Sequence, residues 1–454
     1  MRYTSTRDLI DGQTAEQILL SSLPPSTGLF VPVQFPSAKM IDYTPDSFQE
    51  CIATLLTVFA PDMASYQEYL QIIERCYEPF GCPEPIQYRQ VDGTLHAELF
   101  HGPTGSFEDI AMLPFAALCD RICDQTNTRR LFVSASSGNL GPAAMFAALQ
   151  SAHLPALIFY PLTGISAQQR QQMEQLTDNV SRAAVPVLGT FDDCQSAVKE
   201  VFDPAVCSGY PVKPLAPNSL NWFYLIVQAA VHIWTAHITQ KLWGRRPRLI
   251  IPSGNFGNAC SAYIAAMLGA DLSQIVVATN TNTFLSEFFQ TGAVHLHTAR
   301  RTSAPSMDVA FPLNFERYMW FRSYGDRDKV AAYMGELLAA REMKAPELLA
   351  DFIVAEPVSD THILETIRRL YEQEGHTIDP HTAAAVVAAS RQQPDDDMID
   401  VVMSTASPDK FSEYLVAANV PPAQLTVSEA PEATEGVDPA RIGDLVLSFA
   451  THVR

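Results

Sequence analysis

The chain has 454 residues, 47% hydrophobic and 18% charged, which is enough for two to three packed domains and too apolar for disorder. A formal net charge of -20 disfavours nucleic acid or an anionic membrane surface as partner, because both need a basic face. Residues 1–8 carry no apolar leader, no apolar run reaches the ~18 residues of a membrane span, and the eight cysteines form no CxxC pair. A reducing, cytoplasmic setting with no metal centre is the expectation.

Short apolar runs alternate with longer amphipathic ones, the pattern of an α/β protein with parallel sheets. Residues 1–97, helical over 47–59 and 64–76, read as an N-terminal domain. Residues 98–110 then read Glu-Leu-Phe-His-Gly-Pro-Thr-Gly-Ser-Phe-Glu-Asp-Ile. Buried strands are expected at 131–134, 156–160, 249–251, 275–278 and 401–403. Each is followed by a turn rich in Gly, Ser, Asn or Pro and then by a helical pattern. Residues 129–224, with two strand–helix units, form an expected small mobile domain. Residues 98–128 and 225–420 form the large domain, and 421–454 a C-terminal extension, loose over 421–438 before a helix at 442–449.

Ligands in such folds gather where strands end, and three loops stand there. The first, Ser253-Gly254-Asn255-Phe256-Gly257-Asn258, opens a helix at 259–268. Its glycines permit a tight turn whose successive N–H groups can hold a phosphate. An ordinary glycine-rich turn is the alternative. The second, Ser136-Ser137-Gly138-Asn139, precedes a helix at 142–149 and offers amides for a carboxylate. The third, Ser404-Thr405-Ala406-Ser407-Pro408, ends the last long strand, where Thr405 either faces a ligand or simply caps the strand.

These strings resemble those of the threonine synthases, pyridoxal-phosphate (PLP) enzymes that make threonine from phosphohomoserine. The likeness runs nearly the whole length and includes Tyr3-Thr4-Ser5-Thr6-Arg7, Asn314-Phe315-Glu316-Arg317 and Asp379-Pro380-His381-Thr382. It implies PLP fold type II, with a large cofactor domain and a small mobile one. By the same likeness Ser253, Gly254, Asn255, Phe256, Gly257 and Asn258 would cup the cofactor phosphate. Asn139 would lie beside the pyridine ring and Thr405 at its nitrogen. Thr104, Ser136, Ser137, Gly138, Ser166, Asn221 and Tyr224 would line the substrate.

Three positions depart from that pattern. Glu108 stands where the resemblance expects the lysine that forms a Schiff base with the cofactor. Gly164 and Tyr224 stand where it expects two cations that grip the substrate phosphate. Only 7 of the 30 basic residues are lysines, and none but Lys410 adjoins the three loops. The expectation is therefore PLP held without a covalent bond, with Glu108 as the proton-moving catalytic group. The reaction would be elimination or replacement at Cβ or Cγ of an amino acid, with poor use of phosphohomoserine. A non-catalytic binding protein, and an enzyme that uses the phosphate cup for a phosphorylated substrate without PLP, remain alternatives. The likeness leaves monomer and homodimer both open.

Overall fold

The structure, a computed structural model, describes residues 1–10, 12–25, 27–36, 45–422 and 435–454. Two sheets organise it. The larger has six strands in the spatial order Ile353–Pro357, Gln274–Thr279, Arg246–Pro252, Met398–Ser404, Thr94–Glu98, Gln87–Val91. All pairs are parallel except the last, an antiparallel hairpin. The inner strands are nearly continuous apolar runs because helices cover both faces; Pro247–Pro252 is buried throughout. The smaller sheet, in the order Arg182–Val187, Ala156–Pro161, Arg130–Ala135, Lys213–Leu215, is parallel throughout.

The α/β reading holds, and all five expected strands lie inside observed ones. Two details differ. The expected boundary at residue 97 cuts through the Gln87–Glu98 hairpin, which belongs to the large sheet. Its signal was present in the sequence: Asp92 and Gly93 both take positive φ, 48° and 79°, the geometry of a tight Asp-Gly hairpin turn. The small lobe also holds four strands, not two: Arg182–Val187 and Lys213–Leu215 add to the two expected.

Helix Trp222–Trp243 is the central pillar. It is apolar on nearly every side and buried from Trp222 to Ala236, as a helix enclosed by others must be. Helices Phe48–Phe59, Glu108–Thr126 and Gly257–Met267 pack around it, so the N-terminal region shares one core with the large sheet. The C-terminal helix Ile442–His452 instead buries Ile442, Val446 and Ala450 against helix Phe191–Val201, in the cluster that this helix forms with the small sheet. The loose connection expected at 421–438 lies mostly outside the described residues.

Candidate active site

Parallel pairing sends the loops after Glu98, Pro252 and Ser404 to one edge of the large sheet. The strand that ends at Ser404 lies between the other two. Thr405 thus sits between the loop leading to Glu108 and the loop Ser253–Asn258. Three backbone bonds clamp the first of these neighbours: Leu99 N–H to Ser404 O at 2.9 Å, Phe107 N–H to Thr405 O at 2.8 Å, and Ser407 N–H to Gly105 O at 2.9 Å.

The loop Ser253–Asn258 is tightly braced. A Cβ on Gly254 would stand 2.3 Å from the Ser306 carbonyl oxygen, and one on Gly257 would stand 2.7 Å from Ser219 Oγ. Ser306 is held in turn: its N–H donates to His381 Nε2 at 3.1 Å, while His381 Nδ1 and Asp379 Oδ1 are 2.7 Å apart. Nδ1–H donates to the carboxylate, which leaves Nε2 free to accept. Phe256 adopts φ 62° before helix Gly257–Met267, and its ring packs among Phe289, Phe315 and Tyr318. It therefore contributes backbone to the loop, with its side chain in the core.

Ser253 Oγ, Asn255 Oδ1 and both amide atoms of Asn258 are buried without a protein partner. Two of these groups are donors, beside the positive end of an eleven-residue helix. That arrangement fits a phosphate.

Glu108 is the first residue of helix Glu108–Thr126, and its Oε2 accepts a hydrogen bond from the Tyr224 hydroxyl. Tyr224 is fully buried, whereas Glu108 keeps partial access to solvent. Burial raises the Glu108 carboxyl pKa above its ordinary value, the Tyr224 bond opposes this, and Asp109 adds to it. Burial likewise pushes the Tyr224 hydroxyl well above its usual range, and the neighbouring carboxylate pushes it further. Two of the three residues that stand where cations are expected, Glu108 and Tyr224, are thus bonded to each other.

Asp109 points elsewhere. It accepts from Thr104 N at 2.9 Å and Thr104 Oγ1 at 2.7 Å, so the Thr104 hydroxyl is committed. Lys410 lies beside it, donating to Thr104 O at 2.7 Å and Gln172 Oε1 at 2.6 Å. Burial lowers the lysine to about 8, against the pull of Asp109. Lys199, Lys241, Lys329 and Lys344 are exposed, Lys213 caps the carbonyls of Cys207 and Ser208, and Lys39 lies outside the described residues.

Several expected substrate ligands make structural hydrogen bonds. Ser136 Oγ accepts from Gly138 N at 3.1 Å and Gly141 N at 2.8 Å, and so shapes the second loop. Ser137 and Asn139 remain partly open, although Asn139 Oδ1 accepts from Gln169 Nε2 at 3.0 Å. Gly138, at φ 125°, leaves room for that glutamine, since a Cβ would stand 2.1 Å from Gln169 Oε1. Ser166 caps helix Ala167–Leu176 in a reciprocal pair with Gln169. Asn221 caps Trp222–Trp243, and its amide donates to Ile18 O and Leu19 O at 3.1 and 2.9 Å.

Gln169 and Gln172 were missed by sequence reasoning. The available signal was a glutamine-rich helix with little apolar surface, whose buried positions include Gln169 and Gln171. Among the described residues no cluster of His, Cys, Asp and Glu could hold a metal ion, and no helix is long and apolar enough to cross a membrane.

Residues 89–348 match the family described as pyridoxal-phosphate dependent enzyme, and residues 2–77 match the threonine synthase N terminus. With its two largely parallel sheets, the chain thereby falls in the α/β class of PLP fold type II. It is 31% identical to a Pseudomonas aeruginosa threonine synthase over 92% of this chain and 91% of the relative. The Schizosaccharomyces pombe threonine synthase is 30% identical over 90% and 88%. A crystal structure of PLP-bound threonine synthase from Brucella melitensis superposes with a TM-score of 0.86 at 27% identity, covering 100% of both chains. The chain belongs to the threonine synthase family.

Proposed function

We propose that the protein is a threonine synthase-like enzyme that binds PLP without a covalent bond to the protein. On this reading it acts on an amino acid other than phosphohomoserine, by elimination or replacement at Cβ or Cγ. The observation that carries the reading is the hydrogen bond between Glu108 and Tyr224. Two of the three departures from the family pattern, Glu108 and Tyr224, are one physical unit, which favours adaptation over independent drift. Gly164 supports it: its φ of 122° is open to glycine and strained for the lysine or arginine expected there.

The cofactor phosphate would lie on the amides and side chains of Ser253–Asn258, with Asn139 and Thr405 flanking the ring. PLP there would supply an aldehyde and an electron-withdrawing ring. Ser137 and Asn139, at the start of helix Leu140–Leu149, would orient a substrate carboxylate. Glu108, with its raised pKa, holds a proton near neutrality more readily than an exposed glutamate and can pass it to or from substrate. Two lost cations, at about 1.5–3 kcal/mol each, would weaken phosphohomoserine binding by roughly 10²–10⁴-fold.

The test is to load the purified chain with PLP and read its absorbance, then treat it with borohydride and denature it. Cofactor that binds and is released intact on denaturation is expected. Absence of binding would overturn the reading, and so would cofactor fixed to a lysine. Glu108→Lys should make the cofactor fixable.

A further inference from the structure

We infer that Thr279 is a further ligand of the cofactor phosphate, donating its hydroxyl from the strand beside the Ser253–Asn258 loop. The inference rests on the proposed binding of PLP at that loop and adds a residue from outside it.

Strand register sets Thr279 in place. Strand Gln274–Thr279 runs parallel to Arg246–Pro252 with Ala278 opposite Pro252. Ser253 N–H donates to Ala278 O at 3.0 Å, so the ladder runs one step further and brings Thr279 beside Ser253. Successive side chains alternate across a sheet. Ile250, Val276 and Ala278 enter the core on one face. Leu249, Ile251, Ile275 and Val277 enter it on the other, together with Ala259, Cys260 and Ile264 of helix Gly257–Met267. Ser253 and Thr279 follow the second set by two residues, so both fall on the face that this helix covers. Their hydroxyls stand at the ends of adjacent strands, on the side where the helix N-terminus opens.

Both hydroxyls are left over by the fold. Thr279 is 2% exposed and Ser253 5%, yet neither Thr279 Oγ1 nor Ser253 Oγ has a hydrogen-bond partner in the protein. The Thr279 backbone is engaged, since its strand pairs on both sides and its carbonyl accepts from Val358 N–H at 2.8 Å. A buried hydroxyl without a partner is destabilising, and valine has the same shape and suits a strand equally well. The threonine therefore keeps a donor that the fold does not use. A phosphate at the N-terminus of Gly257–Met267 supplies the acceptor, and its oxygens can take the two hydroxyls and the Asn258 amide together. A cofactor without a covalent bond depends on such contacts for its retention.

Thr279→Val deletes the hydroxyl and keeps the shape. A hydrogen bond to a charged acceptor corresponds to about tenfold to a hundredfold in affinity. The experiment titrates the full-length apo chain and the variant with PLP, followed by absorbance and calorimetry, and then competes inorganic phosphate against the bound cofactor. The variant should bind PLP about tenfold to a hundredfold more weakly, and phosphate should compete correspondingly less well. Its apo melting temperature should stay level or rise, because valine removes an unpartnered polar atom. Thr279→Ser, which restores a hydroxyl, should recover most of the affinity.

Unchanged PLP affinity in Thr279→Val overturns the inference while leaving the proposed function standing, as does a loss for PLP that inorganic phosphate does not share. A loss that comes with a lower apo melting temperature and is not recovered by serine marks a structural hydroxyl and overturns it too. Failure of wild type to bind PLP overturns the proposed function itself. If the valine variant does not fold, Thr279→Ala takes its place in the same comparisons.

Discussion

The bond between Tyr224 and Glu108 can be measured by a double-mutant cycle of Tyr224→Phe, Glu108→Gln and the pair. Phenylalanine keeps the buried ring and its edge contact with Phe115, whose centroid is 5.9 Å away, and deletes only the hydroxyl. A hydrogen bond to a charged acceptor contributes about 1.5–3 kcal/mol, and one to a neutral acceptor about 0.5–1.5 kcal/mol. Glu108 keeps some contact with solvent, which recovers part of the loss, so a coupling energy of about 1–2 kcal/mol is expected.

The pH dependence gives a second handle. Burial raises the folded-state pKa of Glu108, so its contribution to stability is complete below the ordinary carboxyl range and declines as pH rises through the raised value. Tyr224 opposes the rise. Tyr224→Phe should push the pKa higher and cost more at pH 8 than at pH 5. Asp109 acts on the same carboxyl through its charge, with Lys410 beside it, and both are common to all four proteins, so their titration cancels in the cycle. Urea unfolding of the four apo proteins at both pH values supplies the numbers. Additivity within about 0.5 kcal/mol at pH 8 would refute the pairing and the argument that Glu108 and Tyr224 form one unit.

Gly254→Ala should drive a methyl into the Ser306 carbonyl, costing about 1–3 kcal/mol by thermal denaturation and lowering cofactor affinity. Asn221→Ala should remove a helix cap and the amide bonds that tie it to the Ala15–Ser21 helix, where the Ile18 carbonyl keeps its bond from Ser22 N–H and the Leu19 carbonyl loses its amide donor. About 2–4 kcal/mol of stability should be lost by urea unfolding, with retained cofactor affinity distinguishing scaffold from ligand. His232, fully buried, is lowered to about 4 by desolvation, so the unfolded chain takes its proton first as pH falls. Stability should decline between about pH 6.5 and 4 by roughly 3 kcal/mol on its account, and His232→Gln should flatten that part of the profile.

The loops were readable because backbone geometry restricts residue choice there. Gly254 and Gly257 have no space for a side chain, and a strand followed by two glycines and a helix start announces that constraint locally. Side-chain roles were less readable, because a string shared with a family does not say which way an oxygen points. Ser166 and Asn221 stood among substrate ligands, yet each immediately precedes a helix, where serine and asparagine serve as caps. The Ser166-x-x-Gln169 spacing is the capping-box signature itself. The contact between residues 108 and 224 was beyond reach, since it depends on how two helices cross.

Whether the site is adapted or decaying turns on what it still costs to keep. A buried polar atom without a partner destabilises a fold by about 1–3 kcal/mol. Ser253, Asn255 and Asn258 hold four such atoms within six residues, and alanine at each position would remove the cost without disturbing the helix start. The brace behind them is also intact, from Asp379 through His381 to Ser306. A pocket drifting toward a purely structural role has no reason to retain unsatisfied donors at a helix N-terminus. Their persistence beside an exchanged Glu108–Tyr224 pair favours a bound phosphorylated ligand whose far end meets a carboxylate.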